Sequence, residues 1–337
     1  MSDPATAADS TTLRDRYGRQ VTYLRVSVTE RCNLRCFYCL PRARAPLGRP
    51  EQLDLDEFVT VIAASVTLGI TKVRLTGGEP LARPGIIDLV RKVRGIPGLR
   101  DLALSTNGTL LAEHARDLRA AGLMRVNVSL DSLRAAAFRA VSGRNDLGRV
   151  TAGIRAARDA GLTPLKLNVV VIRGVNDDEL PAIVEFAARH DAQARFIEYM
   201  PLGLGERWNT SYVGRAEILE RLRPLLADAP PRHRSGEAAS YYALASGGEV
   251  GIISPVSCRF CDLCNRLRVT ADGRLRPCLT SEGEVDLRGA LRPRPDASAI
   301  AAAFRAATAG RPPVGTYRID AQARAAIDGR AMAAIGG

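Results

Sequence analysis

The sequence is poor in several residue types, and each scarcity narrows the class of protein. No apolar run among its 337 residues approaches the length of a membrane span. Aromatic residues make up 5% of the chain and hydrophobic residues 46%, which predicts a core of Ala, Val, Leu and Ile, as in sheet-and-helix packing. Residues 1–20 lack an apolar run behind a positive head, so we expect a cytoplasmic protein without a membrane partner.

Lysine is also scarce, although the net charge is +12. Arginine supplies almost all of the positive charge, and only Lys72, Lys92 and Lys166 are lysines. Because the arginines are spread along the chain without a basic tract, a general arginine bias explains the charge better than a nucleic-acid partner does. A small polyanionic substrate fits the same charge.

Short β-branched runs alternate with amphipathic stretches from Val21 to about Asp191, which is typical of βα units. We predict six strands, at 23–28, 72–75, 102–104, 125–130, 165–172 and 195–198, with six intervening helical segments. Six units predict an α/β fold with a partial (βα)6 TIM-type barrel and reactive groups at the carboxyl ends of the strands. The predicted organisation is an N-terminal extension (1–20), the barrel (21–235) and a smaller C-terminal module (236–337).

Seven cysteines in a reducing compartment indicate metal or redox chemistry rather than disulfides. Three of them, Cys32, Cys36 and Cys39, follow the first predicted strand with three and then two residues between them. Three thiols leave one position open on an iron–sulfur cluster. Zinc completed by a distant residue is the alternative, but the three histidines are scattered at positions 114, 190 and 233.

The spacing Cys-x-x-x-Cys-x-Tyr-Cys after a first strand resembles the signature of the radical S-adenosylmethionine superfamily. The resemblance implies a [4Fe–4S] cluster on these thiols, with S-adenosyl-L-methionine on its open iron. The segment Gly77-Gly78-Glu79-Pro80 is similar to the glycine-rich segment of that superfamily, where bare backbone approaches the cofactor. The implied cofactor contacts are Tyr38, Gly78, Glu79, Ser129 and Met200.

A second group of cysteines, Cys258, Cys261, Cys264 and Cys278, would by itself suit zinc or an iron–sulfur cluster equally. The run Cys-x-x-Cys-Asn-Arg-Leu-Arg, with thirteen residues between its second Cys and a further Cys, resembles the auxiliary segment of the GTP 3′,8-cyclases. That resemblance implies a second [4Fe–4S] cluster on Cys261, Cys264 and Cys278 with an open iron for guanine. Cys258 is additional to this pattern, and we interpret it as a spare thiol.

The same resemblance, which covers the chain from about Arg14 to Gly337, implies a set of substrate and catalytic residues. Arg266, Arg268 and the terminal Gly336 and Gly337 are expected at the reacting groups. The substrate-binding residues are expected to be Arg25, Lys72, Arg74, Ser105, Lys166, Arg195, Arg266, Leu267 and Arg268. Charged residues on barrel strands are costly unless they are paired or functional.

The implied reaction is the first step of molybdenum cofactor biosynthesis. Cleavage of S-adenosylmethionine gives a 5′-deoxyadenosyl radical that takes H3′ of GTP, leading to 3′,8-cyclo-7,8-dihydro-GTP. A flavodoxin-like electron donor and a downstream cyclic pyranopterin monophosphate synthase are implied partners, and a homodimer is one candidate assembly. Two alternatives remain: a radical enzyme acting on a peptide or another small molecule, and a zinc protein that binds nucleic acid.

Overall fold

The computed structural model describes residues 12–39, 52–201, 205–281, 283–315, 332 and 335. Six strands alternate with helices through the first part of the chain. The strands are β1 Tyr23–Ser27, β2 Lys72–Thr76, β3 Asp101–Thr106, β4 Arg125–Ser129, β5 Leu165–Val171 and β6 Ala192–Glu198. The helices are α1 Leu55–Thr67, α2 Ile86–Arg94, α3 Leu111–Ala120, α4 Ala135–Ser142, α5 Leu147–Asp159 and α6 Leu180–Arg189. All six predicted strands are present, with ends shifted by up to three residues.

The remaining chain forms shorter elements. The helices are α7 Gly205–Ser211, α8 Arg215–Leu222, α9 Arg288–Leu291 and α10 Ala297–Ala309. The strands are β7 Arg232–His233, β8 Ala239–Ala243, β9 Glu249–Ile253, β10 Arg266–Val269, β11 Arg274–Arg276 and β12 Val285–Asp286. No helix in the described part of the chain has the length and apolar character needed to cross a membrane.

All the strands belong to one sheet, in the order β12-β11-β10-β1-β2-β3-β4-β5-β6-β9-β8-β7. The six predicted barrel strands are parallel neighbours, and β10 and β9 extend them in parallel at the two edges. Antiparallel pairs then complete each end. Among the described strands the sheet does not close on itself, which confirms the predicted partial barrel. The domain division stays a prediction, since strands from the second part of the chain flank the barrel on both sides.

Apolar and polar side chains alternate on β1 and β2 and over the first part of β5. On β1, Leu24 and Val26 are buried in the hydrophobic core, whereas Tyr23 and Arg25 line a cavity. Successive side chains of a strand point to opposite faces, so the apolar set packs under the helices and the polar set faces the interior of the barrel. The fold thereby concentrates polar side chains at one internal site.

Two glycines of α5 provide a test of how closely the helices pack. A Cβ at Gly153 would collide with the carbonyl oxygen of Gly108 and lie 3.0 Å from Cβ of Leu111, whereas a Cβ at Gly148 would meet nothing within 4 Å. We expect Gly153→Ala to lower the free energy of unfolding by about 1–3 kcal/mol, because backbone must move. Gly148→Ala, the matched control, should be neutral or stabilising by up to ~1 kcal/mol. Urea unfolding of both variants followed by circular dichroism measures this, and equal effects would contradict the contact.

Candidate active site

One cavity of ≈ 400 Å³ runs through the barrel and contains most of the predicted site residues. Both cysteine groups line it, Cys32, Cys36 and Cys39 in the first and Cys261, Cys264 and Cys278 in the second. Polar side chains of the strands line the space between the two groups. The cavity therefore joins the two candidate metal centres in one site.

The first cysteine group follows β1 at the carboxyl end of the barrel strands. Cys32 Sγ accepts hydrogen bonds from the backbone N–H of Leu34 at 3.4 Å and from Nδ2 of Asn107 at 3.7 Å. Burial raises the pKa of the Cys32 and Cys36 thiols. Thiols that are buried together and not paired in disulfides fit ligands of a metal centre, which binds them as thiolates.

The glycine-rich segment lies directly against the backbone that precedes the first cysteines. Gly78 N–H donates to the carbonyl of Thr29 at 2.7 Å, and a Cβ at Gly78 would collide with the carbonyl of Arg31. Gly77 has φ +149°, and its Cβ would collide with the backbone of Thr29. Only glycine fits such a close approach, so this loop and the cysteine loop are held as one unit.

Glu79 is fully buried, and its carboxylate is held by protein groups. It accepts from the hydroxyl of Thr106 at 2.7 Å and from the backbone N–H groups of Asn107 and Leu81 at 2.7 and 3.0 Å. Burial raises its pKa to about 7, against these hydrogen bonds, which lower it. Glu79 does not line the cavity with its neighbours Gly77 and Gly78. Its cofactor contact stays a prediction, whereas its bonds to the end of β3 are structural.

The other predicted cofactor residues, Tyr38, Ser129 and Met200, all line the cavity near the first cysteines. Tyr38 donates its hydroxyl proton to Asp131 at 2.7 Å, and Asp131 also accepts from the N–H of Val170 at 2.9 Å. Burial raises the pKa of Asp131 to about 6 although both hydrogen bonds lower it. The sequence analysis did not single out Asp131, whose only signal is an acidic residue two positions after Ser129.

The second cysteine group lies at the opposite end of the strands. Cys261 and Cys264 precede β10, which is parallel to β1, and Cys278 follows the antiparallel β11 back to the same end. The expectation that every reactive group sits at the carboxyl ends is therefore wrong for this group. The physical reason is that Cys261 and Cys264 lie just before β10, a strand added at the edge of the barrel sheet. The start of this parallel strand lies at the amino ends of the barrel strands.

Cys264 and Cys258 have different surroundings. Desolvation raises the pKa of the Cys264 thiol, but Arg266 and Arg311 outweigh this and lower it to about 6. Cys258 is exposed, interacts with Arg215 and does not line the cavity. The spare-thiol interpretation of Cys258 agrees with this position.

The wall between the cysteine groups is strongly basic. Three acidic residues line the cavity, Asp131, Glu198 and Glu237. The basic residues that line it are Arg25, Lys72, Arg74, Arg125, Lys166, Arg195, Arg259, Arg266 and Arg268. An excess of cations in a partly desolvated cavity favours a polyanionic ligand. Arg125, Asn127 and Asn168 were not predicted, although alternate polar residues on β4 and β5 are their signal.

Neighbouring strands hold these cations in register. In the sheet register, Arg25 on β1 lies beside Arg74 on β2 and beside Arg268 on β10. Arg74 donates from Nε to the hydroxyl of Tyr23 at 2.5 Å and from Nη1 to Ser105 Oγ at 3.3 Å. Burial raises a tyrosine pKa, yet Arg74 and Arg25 lower that of Tyr23 to about 7. Arg195 donates to Oδ1 of Asn168 at 3.0 and 2.7 Å.

Lys166 has an acidic neighbour contributed by the later part of the chain. Its Nζ lies 3.6 Å from Oε2 of Glu237 and 3.3 Å from the hydroxyl of Tyr241, which donates to Glu237. Burial and the charge of Arg195 lower the pKa of Lys166 to about 8. This lysine is thus poised to change charge near neutral pH.

Arg266 and Arg268 alternate on β10 and both line the cavity, as predicted from their spacing. Leu267 between them is buried in the hydrophobic core instead, so only its backbone is available for the predicted substrate contact. Arg268 donates from Nη1 to the carbonyl of Ile335 at 3.3 Å, which brings the chain end beside the cavity. Gly336 and Gly337 lie outside the described residues.

The cysteine geometry fits clusters better than single ions. Among the described residues, no three Cys, His, Asp or Glu side chains are arranged to hold one metal ion. A zinc ion needs all its thiolates about 2.3 Å from one centre, whereas each thiolate of a [4Fe–4S] cluster binds a different iron and the thiols stand farther apart. The all-sulfur donor sets and the N–H groups directed at Cys32 and Cys261 also suit such clusters.

Comparison with known proteins decides the family. Residues 26–187 match the model of the Radical SAM superfamily, and residues 192–317 match Molybdenum Cofactor Synthesis C. The GTP 3′,8-cyclase of Moorella thermoacetica is 44% identical over 303 residues, which cover 89% of this chain and 94% of that protein. The chain belongs to the GTP 3′,8-cyclase family. The family member from Marinobacter nauticus is 47% identical over 292 residues, covering 85% of this chain and 87% of its own.

Solved structures support the fold that this GTP 3′,8-cyclase family member adopts. Streptococcus suis SuiB bound to S-adenosylmethionine has a TM-score of 0.61 at 11% identity, covering 80% of this chain and 64% of SuiB. Native anSMEcpe with bound AdoMet has a TM-score of 0.55 at 16% identity, covering 78% of this chain and 77% of that chain. At these identities the likeness extends to the fold alone.

The placement of Cys258 gives a direct prediction. Cys258→Ala should leave the iron content unchanged and product formation within about twofold of wild type, because the side chain is exposed and outside the cavity. Iron and sulfide analysis after anaerobic reconstitution measures the first, and mass spectrometry of the product the second. Loss of about half the iron in this variant would show that Cys258 is a ligand.

Proposed function

We propose that this protein is a GTP 3′,8-cyclase in which one barrel cavity holds both metal centres and the nucleotide between them. The observation that carries the proposal is the pair of three-cysteine groups at opposite ends of a single cationic cavity. The enzyme uses two [4Fe–4S] clusters and S-adenosyl-L-methionine. Together the first cluster and S-adenosylmethionine supply a 5′-deoxyadenosyl radical that abstracts H3′ of GTP, leading to 3′,8-cyclo-7,8-dihydro-GTP, the first step of molybdenum cofactor biosynthesis.

The first cysteine group and its neighbours hold the cofactor end. Cys32, Cys36 and Cys39 would bind the first cluster through three thiolates. Gly78 lines the cavity and would lie beside the methionine group, and Tyr38, Ser129 and Met200 border the same end of the cavity. The rings of Phe37, Tyr38 and Tyr199 pack edge to face with centroids 5.9–6.4 Å apart, which excludes water from a reactive radical.

The cationic wall binds the triphosphate, in our proposal. Lys72 and Arg74 lie on β2, Lys166 on β5 and Arg195 on β6, and all four face the cavity. Lys72 is already paired with Asp101 at 3.3 Å and Lys166 with Glu237 at 3.6 Å. A triphosphate would add several negative charges at once to these partly desolvated cations. Ser105 lies beside Arg74 and adds a hydroxyl to the same surface.

At the other end, Cys261, Cys264 and Cys278 would bind the second cluster, which has an open position for the guanine base. Arg266 and Arg268 face the cavity from β10 and Arg25 faces it from β1, between the cluster end and the triphosphate cations. These guanidinium groups can donate hydrogen bonds to the base and the adjacent phosphates. Gly336 and Gly337, which follow Ile335 in the sequence, remain part of the proposal.

Several partners follow from the function without direct contacts in the structure. A flavodoxin-like protein would supply electrons, and a cyclic pyranopterin monophosphate synthase would consume the product. We place the enzyme in the cytoplasm, and leave its assembly as a monomer or homodimer to measurement.

The division of labour between the clusters is tested by two cysteine variants. Cys36→Ala should abolish 5′-deoxyadenosine formation, because S-adenosylmethionine loses the cluster that cleaves it. Cys261→Ala should retain part of that cleavage without GTP but lose the cyclised product. Anaerobic turnover with a chemical reductant, analysed by mass spectrometry, measures both products. Equal loss of cleavage in the two variants would contradict the assignment.

Lys166 makes GTP affinity depend on pH. With a pKa near 8 in the free protein, Lys166 is charged below that pH and loses its charge above it. A bound triphosphate favours the charged form, so GTP binding takes up protons and should weaken by up to about tenfold from pH 7.5 to 9.

Lys166→Met should weaken binding roughly 10- to 100-fold at pH 7.5, as loss of a charge-assisted hydrogen bond does, and abolish this pH dependence. Lys92→Met is the matched control, since Lys92 lies on the exposed surface of α2. Isothermal titration of GTP under argon measures the affinities. A pH dependence unchanged in Lys166→Met would contradict the role of this lysine.

A further inference from the structure

A buried carboxylate lies behind the second cysteine group, and the predicted reaction does not use it. Asp15 Oδ2 accepts from Nε of Arg19 at 2.7 Å and from Nη1 of Arg311 at 2.8 Å. The side chains of Asp15, Arg19 and Arg311 are 0%, 9% and 2% exposed. The backbone N–H groups of Tyr17 and Arg19 donate to Oδ1 of Asp15 at 3.0 and 2.9 Å. One carboxylate therefore accepts four hydrogen bonds, two of them from guanidinium groups.

Both arginines continue to the backbone of the predicted cluster ligands. Arg19 Nη1 donates to the carbonyl of Cys261 at 2.9 Å, and Arg311 Nη2 donates to the carbonyl of Cys264. Arg19 also donates to the carbonyls of Pro312 and Pro313 at 2.7 and 3.2 Å. We call Asp15, Arg19 and Arg311 the arginine clamp.

The clamp joins three segments that are far apart in sequence. Residues 12–20 form a turn closed by a bridge between Arg14 and Gln20, and Arg311 follows α10. The segment after Arg311 then supplies the N–H of Gly315, which donates to Sγ of Cys261 at 3.3 Å. Residues regarded in the sequence analysis as an N-terminal extension are thus in contact with the auxiliary loop.

Burying these charged side chains costs free energy, which is hard to explain if they only hold segments of the chain together. Replacing a buried ion pair by apolar side chains is often neutral or stabilising, so stability alone is a weak reason to have one. The N–H donors of an arginine guanidinium group, in contrast, point in fixed directions. Two such groups are well suited to hold two carbonyls at set positions. The carbonyls held here belong to the two cysteines of one short turn, whose sulfur positions depend on that backbone.

We propose that the arginine clamp positions Cys261 and Cys264 for the second cluster and stabilises the reduced form of that cluster with its positive charge. The inference rests on the proposed function, since it requires that these thiols bind a cluster. Hydrogen bonds and net charge near an iron–sulfur cluster set its reduction potential, and a nearby cation favours the more negative, reduced state. Asp15, Arg19 and Arg311 are positioning residues that act through the cysteines.

The test compares Asp15→Asn, Arg19→Gln and Arg19→Lys in the full-length reconstituted protein. We expect Asp15→Asn and Arg19→Gln to lose iron selectively, toward half of the wild-type content. In any remaining second cluster, Arg19→Gln removes a positive charge and should shift the midpoint potential to more negative values, whereas Asp15→Asn removes a negative charge and should shift it to more positive values. Their 5′-deoxyadenosine formation should stay within about threefold of wild type. Arg19→Lys keeps the charge and should recover most of the iron. Iron and sulfide analysis and potential-controlled electron paramagnetic resonance of the two reduced clusters provide the readouts.

Two reference variants make the result decisive. Arg221→Gln removes a guanidinium–carboxylate pair at 2.7 Å between α8 and Asp177 in the loop before α6, and should change neither iron nor potential. Wild-type iron content and wild-type potentials in Asp15→Asn and Arg19→Gln would overturn the role of the arginine clamp. Equal loss of both clusters in all three clamp variants would also overturn it. Either result would leave the proposed function intact. If Cys261→Ala itself retained all the iron, the cluster assignment would fail and the clamp with it.

Discussion

The parallel pairing of β10 with β1 is the contact on which the rest of the site depends. It sets Arg266 beside Tyr23 and Arg268 beside Arg25, so a strand from the second part of the chain completes the cationic wall of the first. The same pairing brings Cys264, two residues before β10, to the amino end of the barrel. Because the first cysteines follow β1 at its carboxyl end, the length of the strands separates the two metal centres.

This arrangement explains why the barrel interior is polar. A cavity lined by nine basic and three acidic side chains would be costly if it stayed empty of counter-charge, since buried cations repel one another. The lowered pKa values of Lys166 and Arg195, to about 8 and about 10, result from burial together with that repulsion. A bound polyanion relieves both effects, and in the proposed function GTP binding gains from this relief of charge repulsion.

The sequence predicts the barrel well because its signals are local. Alternating polar and apolar residues, the glycine segment and the cysteine spacings each lie within one element or loop. The features that the sequence could not predict depend on contacts between distant segments. Cys261 lies at the amino end because β10 pairs with β1 at that edge of the sheet. The proposed role of residues 12–20 depends on their contact with Arg311, almost 300 residues away. Asp131 and Glu237 were missed because single acidic residues in loops have no periodic signal.

The central claim is that a radical made at one end of this cavity acts on a nucleotide held at the other. Anaerobic turnover of the reconstituted protein with S-adenosylmethionine, a reductant and GTP deuterated at C3′ tests it most directly. The account predicts one deuterium in the 5′-deoxyadenosine, together with a cyclised product. Unlabelled 5′-deoxyadenosine with unchanged GTP would contradict it and indicate another substrate for the same radical.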